Sequence, residues 1–87
     1  MSVAVYKYYV DVDITTKEKE MIMYSIPVLY DNEEEAISEA FGERERCLEE
    51  YGADACINVN VIKAKEDDIE IKDNSVYCKK YEIVFSE

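Results

Sequence analysis

The chain has 87 residues, enough for one domain, since single cores usually span about 50 to 200 residues. Apolar residues make up 48% of it and charged residues 36%, which excludes a disordered polar tract. Twenty-one acidic residues against ten basic ones give a formal net charge of −11, which repels nucleic acid and anionic lipid and favours a protein partner with a basic surface. Solubility alone also explains such a charge.

No run approaches the ~20 apolar residues of a membrane span. The opening stretch Met1 to Val10 is interrupted by Lys7 and tyrosines, where a signal peptide needs a long apolar run, so a cytoplasmic protein is expected. Cys47, Cys56 and Cys78 are widely spaced and form no CxxC pattern, which predicts reduced thiols, mostly buried as small hydrophobes.

From Val3 to Ile14 the residues alternate, with Tyr6, Tyr8, Val10, Val12 and Ile14 on one face of a strand. A hairpin loop over Thr15 to Glu20 leads to a second strand from about Met21 to Tyr30. Pro27 cannot donate to a ladder, so this strand is an edge or ends there. A helix follows, capped by Asp31 or Asn32, with Glu33, Glu34 and Glu35 at the positive end of its dipole. Ile37, Ala40, Phe41, Cys47 or Leu48, and Tyr51 give its apolar stripe, and Gly52 a left-handed cap. Gly42 in its interior suggests close packing or a slight kink.

Ala55, Ile57, Val59 and Val61 alternate in a third strand. A final strand covers about Val76 to Phe85, with Tyr81, Ile83 and Phe85 on one face. Ile69 to Lys72 form either a short extra strand or the far end of a long hairpin turning at Asp73-Asn74. The prediction is an α+β domain over 1–87: a four-stranded antiparallel sheet covered on one face by a single helix. The other face would carry Val5, Tyr9, Met21, Met23 and Val84, too apolar for solvent, so it is expected to meet a second copy in a homo-oligomer or a partner.

Histidine is absent, which removes the usual general base and the commonest zinc ligand. Two glycines cannot build a phosphate-binding loop, and no nucleophile stands beside a base. Asp11, Asp13 and the run Glu66 to Asp68 lack the glycine-centred spacing of a calcium loop. No catalytic residue, metal or cofactor is therefore expected. The helix is the informative element. Glu35, Glu39 and Glu43 form a row at four-residue spacing, about 6 Å apart, with Glu45, Glu49, Glu50 and Asp54 beside or beyond it. A solvated face and a carboxylate track that docks on a basic cleft are equal readings of it. Of the eight tyrosines most fill the core, while Tyr9 and Tyr77 can face outward, as tyrosines at recognition surfaces do.

In size, charge, lack of histidine and Glu-rich helix, the whole chain resembles small acidic phage-encoded anti-defence proteins, the anti-CRISPR inhibitors and DNA mimics. The run Tyr51 to Val59, with Gly-Ala-Asp-Ala inside it, is similar to the helix-to-strand turn of small bacterial α+β domains that assemble as oligomers. The first resemblance implies a non-enzymatic inhibitor that occupies a basic nucleic-acid-binding surface of a host defence or DNA-processing protein. An oligomeric small-molecule sponge or carrier and a bacterial accessory domain with a housekeeping binding role are the rivals.

Overall fold

Two ten-residue strands, β1 (Tyr6–Thr15) and β3 (Cys56–Lys65), pair antiparallel along their whole length and form the spine of the computed structural model, which describes residues 3–87. Met1 and Ser2, the start of the stretch weighed as a signal peptide, lie outside the described residues. The register places Val10 opposite Val61, Val12 opposite Val59 and Ile14 opposite Ile57. All six are buried. β-Branched residues suit this position because their stiff side chains pack well on a pleated surface. The edge strand β2 (Met21–Ser25) pairs with β1, and β6 (Glu82–Ser86) pairs with β3, giving an antiparallel sheet ordered β2-β1-β3-β6.

Helix α1 (Glu33–Tyr51) lies on this valine face, packed through Ala36, Ala40 and Cys47. Three small side chains let its backbone approach β1 and β3 closely. Asn32 is the cap, the Glu35 N–H donating to its Oδ1 at 2.9 Å, and Gly52 closes the helix at φ 85° with its N–H on the Leu48 carbonyl at 2.9 Å. Of the two readings of Gly42, close packing is not met. The residue is exposed, and open space lies where a Cβ would project, so no close packing requires glycine there. Phe41 is half-exposed and meets the Phe85 ring edge-on at 5.5 Å.

Pro27 stops β2 as expected. The Ile26 N–H still donates to Val10, and Tyr30 rejoins β1 through a pair of bonds with Tyr8 at 3.0 and 2.8 Å. The predicted final strand is two strands. A 3-10 turn (Glu66–Asp68) leads into a hairpin of β4 (Ile69–Lys72) and β5 (Ser75–Cys78), and the chain breaks at Lys79 to Tyr81 before β6. The hairpin turns on Asp73 and Asn74, both at positive φ (53° and 61°), as a two-residue hairpin turn that matches strand twist requires. A bulge between Val61 and Ile62 pairs Phe85 with Val61 and Ile83 with Ile62. Ile83 and Phe85 thus point to opposite faces of the sheet rather than sharing one.

The sheet face away from α1 is covered in part by the chain itself. Ser25 is buried and its Oγ accepts from the Val76 N–H at 2.8 Å, which ties the β4–β5 hairpin to β2. Tyr9, Ile62 and Ala64 on this face are buried. Val84 packs against the helix-side core. Tyr9 and Val84 therefore do not belong to an open apolar surface, whereas Val5, Met21 and Met23 remain exposed. No helix among the described residues is long and apolar enough to cross a membrane.

Candidate functional site

Eight of the 19 residues of α1 are glutamates, and five of them, beyond the first turn, fall into two groups. Glu39 and Glu43 are engaged internally. Arg46 pairs with both, at 3.5 Å from Glu39 and in direct contact with Glu43. Glu43 also accepts from the Tyr24 hydroxyl at 2.9 Å, and its side chain is only 13% exposed. The predicted row of three free carboxylates is thus broken, and Glu35 alone of them has no such partner among the described residues. The spacing rule placed the row correctly but could not show that Tyr24, 19 residues away in sequence, reaches it from β2.

Glu45, Glu49, Glu50 and Asp54 form the second group, all exposed. Asp54 stands 3.9 Å from Lys17, both well exposed, a pair worth little in high dielectric. That contact brings the Thr15–Glu20 loop, with exposed Glu18 and Glu20, against the turn after α1. These two loop carboxylates extend the surface and were not legible locally. The last turn of α1 holds no basic residue. Glu49 and Glu50 oppose the negative end of the helix dipole, where each anion costs about 0.3–1 kcal/mol.

Beneath the hairpin, Asp11 and Asp13 face a cavity of about 350 Å³ with Ser25, Ser75, Val76 and Tyr77. Burial first, and the neighbouring Asp13 second, raise the Asp11 carboxyl above its ordinary pKa. The cross-strand partners of these aspartates are Asn60 and Asn58, and Asn60 accepts from the Ser86 hydroxyl at 2.7 Å. Among the described residues no three acidic, cysteine or histidine side chains gather as a metal site. The cysteines are free, and only Cys47 is buried. Cys56 is exposed at the start of β3, and Cys78 is half-buried with its thiol on the Lys80 carbonyl at 3.0 Å.

A second cleft, of about 470 Å³, opens where β1 begins and β3 ends, lined by Tyr6, Lys63, Lys65, Lys80 and Tyr81 together with Asp67, Asp68 and Glu82. The Lys63 ammonium lies 4.7 Å from the centre of the Tyr6 ring. No protein-family model matches the chain, and no curated protein or solved structure is detectably similar to it.

Proposed function

We propose that this chain is a non-enzymatic binding protein that presents the C-terminal half of α1 to a basic protein surface. It acts as an inhibitor that occupies the nucleic-acid-binding surface of a host defence or DNA-processing protein. The observation that carries the reading is the placement of Glu49 and Glu50. They oppose the helix dipole, no basic residue shares their turn, and both are exposed with Glu45 and Asp54 beside them. Selection for stability alone favours lysine or arginine at this end. A surface held at such a cost, in a chain of net charge −11, complements a cationic cleft and speeds encounter with it. The test is competition on a co-purified partner. Duplex DNA should displace the chain from it, and the E45Q/E49Q/E50Q variant should bind more weakly than a D67N/D68N control of nearly equal charge. Simultaneous binding of DNA and the chain overturns this reading.

Exposed Met21 and Met23 on the edge strand β2 favour self-association as a second property. An unpaired strand edge beside apolar side chains is a template for pairing with another copy.

A further inference from the structure

We propose that the Tyr6–Lys63–Tyr81 cleft binds a small phosphate-bearing ligand with a flat ring, of the nucleotide class. The inference is independent of the acidic helix, because no residue of α1 lines this cleft.

The chain has ten cationic residues, and among the described residues only Lys7, Lys17 and Arg46 form ion pairs. Seven of the ten therefore hold no ion pair among the described residues. Lys63, Lys65 and Lys80 converge on one cleft, and none of them has a carboxylate within 4.0 Å, although Asp67, Asp68 and Glu82 line the same walls. Their ammonium groups are thus available to an incoming anion. Lys63 is also held in place, since its ammonium sits over the Tyr6 ring. Oriented lysines suit a phosphate as point charges.

The ring follows from Tyr81. It is 57% exposed in the break between β5 and β6, next to Lys80, and offers a face for stacking. The volume of about 470 Å³ lies within the range of small-ligand sites. Asp67, Asp68 and Glu82 accept hydrogen bonds, as the hydroxyls of a sugar require. The net charge of −11 selects a small ligand over a polynucleotide, because each further phosphate outside the cleft meets repulsion.

Calorimetric titration of the full chain with ADP, adenosine and inorganic phosphate tests this. ADP should bind saturably and more tightly than either fragment, and its amide shifts should centre on Tyr6, Lys63 to Lys65 and Lys80 to Glu82. K63Q/K80Q should weaken ADP about tenfold or more, Y81A should weaken it too, and Y81F should restore it. E45Q/E49Q/E50Q should leave it unchanged. No saturable binding of ADP up to about 1 mM overturns the proposal. So does unaltered affinity in folded K63Q/K80Q, or adenosine binding as tightly as ADP.

Discussion

Tyr24 and Glu43 meet across the junction of β2 and α1, the phenol donating to the carboxylate at 2.9 Å while standing 3.3 Å from the Cys47 sulfur. This pair fastens the edge strand to the helix, and Arg46 holds the same carboxylate from the other side. Y24F should cost about 1 kcal/mol in urea unfolding, the worth of a hydrogen bond to a charged group reduced for partial exposure. Burial, then the bonds to Cys47 and Glu43, push the Tyr24 phenol far above its ordinary pKa of 10.0. A raised value means that its stabilising contribution is complete below pH 10 and is lost as pH climbs toward the folded-state value. Y24F should therefore flatten the alkaline fall in melting temperature above pH 10. An unchanged alkaline limb would show that the phenol is not held neutral by the fold.

Asp11 titrates in the same sense at the acid end. Its pKa is raised by burial and by Asp13, so its contribution is present below its ordinary value of 3.8 and is lost as pH rises through the folded-state value. D11N should stabilise the protein at pH 7, and its advantage should shrink as pH falls through the folded-state value toward 3.8 and level off below it. Thermal melts from pH 3 to 8 check both the sign and the window.

G42A tests an exposed helix interior. Nothing lies within 4 Å of the new methyl group, so alanine should stabilise the protein by about 1 kcal/mol through helix propensity alone. A destabilised G42A would mean that glycine serves a bend or a contact with a partner.

E50K reverses a charge at the negative end of α1. Stability should rise by about 0.3–1 kcal/mol at low salt and the gain should shrink as salt is added. Affinity for a basic partner should fall at the same time. Opposite signs for stability and binding distinguish a binding surface from a merely solvated one.

M23E places a charge on the exposed side of β2. Stability should fall by no more than about 1 kcal/mol, because the residue is 69% exposed but stands directly across the ladder from Asp13. If the wild-type chain self-associates through this edge, light scattering should show M23E shifted toward the 10.1 kDa monomer. A wild-type chain that is already monomeric at micromolar concentration rejects self-association.

Regular alternation made β1, β3 and the start of β2 legible, and the Asn32 and Gly52 signals bounded α1. Period and capping chemistry are local, and they act within a few residues. The break at Lys79 to Tyr81 falls where the Lys79-Lys80 pair interrupts the apolar rhythm of Val76 to Phe85, a local signal weaker than the alternation on either side of it. The pairing partners separate the two strands, β5 with β4 in a two-stranded sheet and β6 with β3 in the main one. Ala36 was missed because alanine reads weakly as core, although here it is fully buried. The carboxylate row was visible in the sequence and its pairing was not. Tyr24 reaches Glu43, and Lys17 reaches Asp54, through tertiary contacts that no spacing rule encodes. The cleft between Tyr6, Lys63 and Tyr81 gathers residues from both ends of the chain and was invisible for the same reason.

The β4–β5 hairpin has a consequence for how the fold opens. Its own pairing is local, closed by the Asp73-Asn74 turn, and one backbone-to-side-chain bond from Val76 to Ser25 ties it to β2. The four-stranded sheet rests instead on pairings between distant segments and on a fully buried valine layer. The hairpin can therefore lift as a unit while the sheet and α1 stay closed, forming the lowest rung of a ladder of partial unfolding. In hydrogen exchange, the amides of Ile69 to Cys78 would then lose protection well before those of Val10, Val12 and Val61, and each opening would wet the ring of Tyr9.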